Sequence, residues 1–416
     1  MYRVSPFMQR FAISLCLGVA LATLWVNIAP ASYYDMIEWR MSDLDWIEPL
    51  FPAPPSLTPL NLVAEVLIPL FMFLIGKELW EAIVLERGGL SGRAAILPLA
   101  GALGAAFAAV LIWQVLAIWI DPNVETLLRT GWPMPIGGDV VLVYLFGRLT
   151  FTRTSNALRL VLLVMIALEM MGLILLGLTH PNGGLLRLTW LLLPLLTALI
   201  LWRLHGRPSQ TALDGRAPDG RAPDGRAGSE RARRCATRLW PYILAGIISY
   251  VGVIAAGLPG ALGLLPIIPA IAHASRSFGL FAEAEELLTD PLNRLAHALI
   301  WPITGILFIF GLTRGGIDLA AFAPPTIMVL AAYWVGKPLG FLAATALALR
   351  FGGAKLPQDC TSAALVRVAL LLGIGFTVPV LALDTALDGG EVAEAARLGL
   401  VVSFAMGAIT LILPRR

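Results

Sequence analysis

Apolar residues run in stretches of about twenty along most of the chain, and polar residues gather between them. A helix needs about 20 mostly apolar residues to cross the hydrocarbon core of a bilayer. Twelve stretches meet that requirement, near 11–30, 59–80, 94–120, 131–148, 155–178, 186–204, 239–257, 259–274, 292–312, 324–350, 363–387 and 394–414. The pair at 239–274 reads either as two short helices broken around Gly257-Leu258-Pro259-Gly260 or as one kinked hairpin. The pattern predicts an all-α, polytopic membrane protein of about twelve transmembrane helices. Met1 to Arg10 followed by apolar Phe11 to Ala29 has the outline of a signal peptide. The run is long enough to span and no clear small-residue cleavage site follows it, so it reads as the first helix.

Two stretches interrupt the apolar pattern from inside. The first is Gly131-Trp132-Pro133-Met134-Pro135-Ile136-Gly137-Gly138-Asp139. Pro133 and Pro135 each remove a backbone donor, and Gly137-Gly138 weakens a continuous helix. The second is Leu372-Gly373-Ile374-Gly375-Phe376-Thr377-Val378-Pro379, again glycines and a proline inside an apolar run. Unwound backbone at membrane depth is tolerated only where protein buries it or where it lines a cavity. Paired interrupted helices point to an inverted-repeat transporter, here with repeats built from spans three to five and ten to twelve.

Polar residues at membrane depth are costly and mark function by default. Asp139 and Glu169 lie well inside their spans, Lys337 lies at the middle of 324–350, and Glu78 lies at one end of the second span. At about 1.5 Å rise per residue, Asp139, Glu169 and Lys337 reach one mid-membrane layer. Lys337 needs a carboxylate partner there, and Glu169 is the first choice for a buried charge pair. Carboxylates at that depth suit a cation or proton site, because their proton affinity decides when a proton displaces the cation.

Composition agrees with the pattern. Of 416 residues, 58% are hydrophobic and 14% charged, against about 25% charged in soluble domains. Of the 30 basic residues only three, Lys77, Lys337 and Lys355, are lysines, so a mid-membrane lysine is not there by chance. Cys16, Cys235 and Cys360 are scattered, which indicates neither a disulfide framework nor a metal site. No HExxH or GxSxG motif suggests an enzyme, and no cofactor is expected.

Basic residues set the orientation. With the amino terminus inside, cytoplasmic segments hold Arg3, Arg10, Arg87, Arg93, Arg148, Arg153, Arg159, the arginines of 203–238, Arg276, Arg350, Lys355, Arg415 and Arg416. The opposite loops hold only Arg40, Arg129, Arg187, Arg314 and Arg397, and they are acidic at 35–48 and 388–394. Both termini are therefore expected in the cytoplasm. Residues 205–238 carry a tandem Ala-Pro-Asp-Gly-Arg repeat with nothing to bury, which predicts a disordered linker. It divides the chain into a six-helix half at 1–204 and another at 239–416. The acidic stretch from Phe278 to Leu292 reads as a polar-faced cytoplasmic helix, and 31–58 as an external loop or small hairpin.

From about 59 to 414 the sequence resembles the NhaA family of bacterial sodium/proton antiporters. The resemblance rests on Phe73-Leu74-Ile75-Gly76-Lys77-Glu78, on Gly131-Trp132 to Asp139, on Gly336-Lys337-Pro338-Leu339-Gly340 and on Gly373-Ile374-Gly375-Phe376-Thr377. It implies inverted repeats with two broken helices, whose break residues here are Pro135, Gly137, Gly138, Gly373, Gly375 and Thr377. It implies that Asp139 is the acid at the crossing of the breaks and binds ion or proton together with Glu169. Lys337 corresponds to the family's mid-membrane lysine, and Glu78 to an acid of its pH-responsive cluster. The second of the family's adjacent aspartates is replaced by Met170, a soft, weak donor for Na⁺. Gly138 stands where a threonine usually precedes the crossing acid, and Pro259 or a neighbour replaces a membrane histidine. The partners implied are Na⁺ or Li⁺, protons and the lipid bilayer of the bacterial inner membrane. A homodimer is left open and no nucleic acid is expected. The function implied is monovalent cation/proton exchange, weakened or altered by these replacements. The alternatives are a transporter of the same fold for another substrate and a transport-inactive sensor or partner-binding relative.

Overall fold

The computed structural model describes residues 4–41, 58–85, 90, 92–119, 128–152, 155–182, 184–206, 238–273, 280–288, 290–357, 360–387 and 389–412. The expected linker at 205–238 lies, from 207 to 237, outside the described residues. The described chain is helical. In order it forms α1 (Phe7–Ile28), α2 (Pro30–Glu38), α3 (Ile68–Val84), α4 (Ile96–Trp119), α5 (Val140–Thr150), α6 (Asn156–Thr179), α7 (Leu192–Leu201), α8 (Trp240–Ala255), α9 (Pro291–Arg314), α10 (Pro324–Ala331), α11 (Lys337–Arg350), α12 (Ser362–Leu371), α13 (Thr377–Ala386), α14 (Gly390–Val402) and α15 (Ala405–Ile412).

Among the described residues, eight helical stretches are long and apolar enough to cross a membrane. Shorter apolar helices lie at Val140–Thr150, Trp240–Ala255, Gly260–Ala270, Ser362–Leu371 and Thr377–Ala386. They fall where the sequence carries glycine and proline. The stretch expected to span at 259–274 is two short 3-10 segments, Gly260–Leu262 and Leu265–Ala270. Pro266 and Pro269 remove the donors that an α-helix there would need. Within 31–58, expected as a loop or hairpin, residues 31–38 belong to α2, with Pro30 in its first turn.

Many large apolar side chains face outward, among them Phe107 at 71% and Leu195 at 61% exposure. Such surfaces suit lipid tails, and lipid gives apolar helices no reason to associate. Close packing must do so instead. By contacts the chain forms two compact units, one of Met1–Trp39, Gly89–His180 and Leu307–Arg416, the other of Arg40–Gly88 and Pro181–Ile306.

In the first unit α4 and α11 touch through glycine. A β-carbon on Gly104 would collide with the Gly340 carbonyl, and one on Gly340 with the Gly104 carbonyl. Gly18 of α1 and Gly311 of α9 make a second crossing of the same kind. In the second unit Phe73, Leu201, Tyr242, Ile267, Ile268 and Leu292 form a buried cluster. Its helix α3 is preceded by a wide π turn, Leu62–Leu67. Pro69 leaves the carbonyl of Glu65 without an α-helical donor, and the Tyr250 hydroxyl donates to it at 2.6 Å.

Both internal breaks are present. Gly131 to Ile136 forms turns and 137–139 is non-helical before α5 begins at Val140. The second runs from Leu372 to Phe376, between α12 and α13.

Substituting Gly340→Leu is expected to push α11 off α4 and to cost at least about 1–3 kcal/mol, as overpacking does. Gly305, with nothing within 4 Å of its missing β-carbon, is the control. Thermal melting in detergent should fall sharply for Gly340→Leu and stay unchanged for Gly305→Ala.

Candidate functional site

The two breaks meet in the first unit. The Phe376 amide donates to the Gly138 carbonyl at 3.5 Å. A β-carbon on Gly137 would strike Val378, one on Gly138 the Met165 sulfur, and one on Gly172 of α6 the Gly137 backbone. Met165 therefore fills the space that a side chain at 138 would take.

Asp139, fully buried, lies where the breaks cross. Its Oδ1 accepts the Leu142 amide at 2.7 Å, which caps α5. Its Oδ2 accepts the Thr377 amide at 3.2 Å and the Thr377 hydroxyl at 2.5 Å. One carboxylate thus bridges the amino-terminal ends of α5 and α13, where helix dipoles present partial positive charge. Glu169 of α6 reaches the same helix end, its Oε1 accepting the Val140 amide at 2.7 Å. Its Oε2 is buried and has no hydrogen-bond partner. Met170, beside it on α6, is buried too. Ser403, where α14 gives way to α15, accepts the Gly375 amide at 3.1 Å and so satisfies a donor that the second break leaves over.

Lys337 does not pair with Glu169. Its Nζ donates to the carbonyl oxygen of Gly137 and sits over the Tyr333 ring, 3.8 Å from the centroid. No ion pair between Lys337 and a carboxylate occurs among the described residues. The unwound backbone offers an acceptor that a helix would have used internally, and the ammonium takes it. Pro135, Gly137, Gly138, Gly373, Gly375, Thr377, Asp139, Glu169 and Lys337 all lie in this unit.

Glu78 belongs to a different cluster, in the second unit. Lys77 Nζ contacts Glu78 and Glu81 at 3.1 Å each and Glu285 at 2.5 Å. The other Glu78 oxygen accepts the Phe281 amide at 2.6 Å, with Phe281 held at φ 48°. Of the polar-faced helix expected over 278–292, the described residues 280–288 form no α-helix. Glu283–Leu287 is one short 3-10 segment with Glu285 buried against Lys77, and α9 begins only at Pro291. Residues 274–279 and 289 lie outside the described residues. Burial first, then the neighbouring Glu78, raise the Glu285 carboxyl well above its ordinary value of 4.5, with Lys77 opposing.

Glu81, Glu285, Tyr333 and Ser403 were not singled out from the sequence, and Lys77 was read there only as part of a motif, with no site role. Lys77–Glu81 and Tyr333–Lys337 are four apart on a helix, a spacing that puts side chains on one face. Glu285 and Ser403 carry no such signal. A further ion-pair network links Arg314 and Arg397 to Asp384, and Arg397 to Glu394 at 2.7 Å. Arg314 and Arg397, expected in outer loops, thus lie within helices.

A polytopic helical bundle whose two interrupted helices meet at a buried carboxylate has the form of a secondary ion transporter. The family model described as "Na+/H+ antiporter 1" matches residues 8–213 and 229–413. The chain is 34% identical to the Na⁺/H⁺ antiporter NhaA of Jannaschia sp. (strain CCS1), over 99% of this chain and 97% of that one. It is 27% identical to the NhaA of Geobacter sulfurreducens, over 98% and 96%. A solved structure of the sodium proton antiporter MjNhaP1 from Methanocaldococcus jannaschii aligns at a TM-score of 0.47 and 12% identity, over 96% of this chain and 93% of that one. The chain belongs to the NhaA family of Na⁺/H⁺ antiporters, a transporter family and not an enzyme family.

The Glu285 shift sets a pH dependence. The folded state holds its proton above the ordinary carboxylate value, so it binds more protons than the unfolded state there. Stability is fullest below pH 4.5 for this group and is lost as pH rises through the raised value, by at most about 1.4 kcal/mol per pH unit for one proton. Glu285→Gln should flatten the fall in melting temperature above pH 4.5. An unchanged melting profile would count against the assignment.

Proposed function

We propose that this chain exchanges Na⁺ or Li⁺ for protons at Asp139 and Glu169. The supporting observation is the pair of buried carboxylates at one helix end, with Glu169 Oε2 unpartnered. A buried carboxylate oxygen without a donor is costly. A cation or a proton removes that cost, and each displaces the other. Alternation between them at one site is exchange, and helices broken at mid-membrane suit alternating access to it.

We read the native exchange as weak. Met170 places a thioether where the resemblance calls for a second carboxylate, and Gly138 supplies no side-chain oxygen. Gly137, which could offer a backbone oxygen, already accepts from Lys337 and from Tyr333. Fewer charged oxygens mean weaker binding of a hard cation. Glu78, with Lys77, Glu81 and Glu285, is read as the pH-responsive cluster.

The arrangement in the inner membrane is read as twelve crossings, with 131–148 and 363–387 each crossing once through its break and both termini cytoplasmic. The arginine asymmetry supports this, as do break positions that suit inverted repeats of spans three to five and ten to twelve. A green fluorescent protein fused to the carboxyl terminus should fluoresce, whereas a periplasmic alkaline phosphatase fused there should be inactive. The reverse pair of results would overturn the count.

Acridine-orange dequenching in everted vesicles, on addition of Na⁺ or Li⁺ from neutral to alkaline pH, tests the site. Native exchange should be small and Asp139→Asn should abolish it. Met170→Asp should raise apparent Na⁺ affinity by about tenfold or more, as ligand charge does elsewhere. Robust native exchange that survives Asp139→Asn would defeat the assignment. A chain silent in every form would favour the transport-inactive relative.

A further inference from the structure

Tyr333 touches both breaks and Lys337. It lies in a π turn, Ala332–Gly336, one turn before Lys337. Such turns interrupt α-helices mostly at functional positions. Here Pro338 supplies no amide to the preceding turn, which accounts for the widening. Tyr333 is fully buried. Its hydroxyl donates to the Gly137 carbonyl at 2.9 Å, with the Met134 carbonyl 3.2 Å away as a second acceptor. Its ring face lies under the Lys337 ammonium, 3.8 Å from the centroid. On the other side it packs on the second break. A β-carbon on Gly375 would fall on the ring, and one on Gly373 would come within 2.9 Å of the Tyr333 carbonyl. Gly375 leaves room for the ring, and Gly373 for the backbone that carries it.

Gly137 is where these contacts converge. A carbonyl oxygen has two lone pairs, and Tyr333 and Lys337 each donate to it. Carbonyls freed by unwound segments are the neutral oxygens that transporters of this type offer to a cation. In this chain that oxygen is already occupied by a tethered cation, the Lys337 ammonium. The aromatic face beneath favours its staying there.

We propose that Tyr333 is a positioning residue that, with its hydroxyl on the Gly137 carbonyl and its ring under Lys337, keeps that oxygen engaged and thereby sets how tightly the site takes a monovalent cation. This rests on reading Asp139 and Glu169 as an exchange site. Ammonium and transported cation then compete for one oxygen, and Tyr333 biases the contest against the transported cation twice, by its hydroxyl on that oxygen and by its ring under the ammonium. Were Tyr333 only a filler between the breaks, phenylalanine would serve as well, having the same ring and nearly the same volume.

The experiment compares purified wild type with Tyr333→Phe and Tyr333→Leu by two readouts. The rise in melting temperature with Na⁺ or Li⁺ in detergent gives apparent affinity without any transport. Exchange in proteoliposomes gives KM and kcat. Tyr333→Phe should melt near wild type without cation. It should bind Na⁺ about 3- to 10-fold tighter, the scale of one recovered oxygen contact. Its KM should fall by a similar factor wherever exchange is measurable. Tyr333→Leu, which also removes the aromatic face, should shift affinity further in the same direction and melt lower. Equal or weaker cation affinity in Tyr333→Phe overturns the proposal, and so does failure of both proteins to respond to cation. Wild type that binds cation but does not exchange it defeats the proposed function instead, while the affinity difference still decides the role of Tyr333.

Discussion

Everything at the crossing depends on one carboxylate satisfying two helix ends. Breaking a helix at membrane depth exposes amides that water cannot reach, and each unsatisfied group there costs several kcal/mol. Asp139 takes the Leu142 amide of α5 and the Thr377 amide and hydroxyl of α13. Glu169 takes the Val140 amide that remains. Two carboxylates gather at two helix ends, whose dipoles favour negative charge, and the crossing is rich in oxygen.

The same logic governs the acceptor side. A break frees carbonyls as well as amides, and Gly137 meets Lys337 and Tyr333 rather than a helical partner. A lysine at this depth needs an oxygen, not necessarily an acid. Backbone carbonyls supply it without a second buried charge to desolvate. In the second unit the opposite solution appears, where Lys77 is ringed by Glu78, Glu81 and Glu285. There the acids outnumber the base, and burial holds Glu285 toward its protonated form.

Glycine makes both arrangements reachable. Gly104 and Gly340 let α4 and α11 approach backbone to backbone, and Gly18 and Gly311 do the same for α1 and α9. Gly137, Gly138 and Gly375 let the extended breaks pass one another with Met165, Val378 and the Tyr333 ring in the gaps. Lipid offers no hydrophobic drive to assemble these helices, so the closeness of approach carries the association.

The apolar spacing by itself determined the all-helical membrane class, and the proline and glycine clusters located both breaks. These are local properties: a missing amide or a missing β-carbon acts wherever the chain goes. Charge at depth was legible for the same reason, which is why Asp139, Glu169 and Lys337 stand out in one dimension. Tertiary structure alone decided what each met. Glu169 and Lys337 are the natural pair by sign, yet Lys337 turns to Gly137, because an unwound carbonyl is an acceptor that no sequence pattern displays. Glu285 is a surface acid by its neighbours and a buried one by its contact with Lys77, 208 residues away. Tyr333 reads as one more aromatic in an apolar helix until the second break is folded against it. Partners so distant along the chain are chosen by which groups remain unsatisfied after the helices pack, and that is settled only in three dimensions.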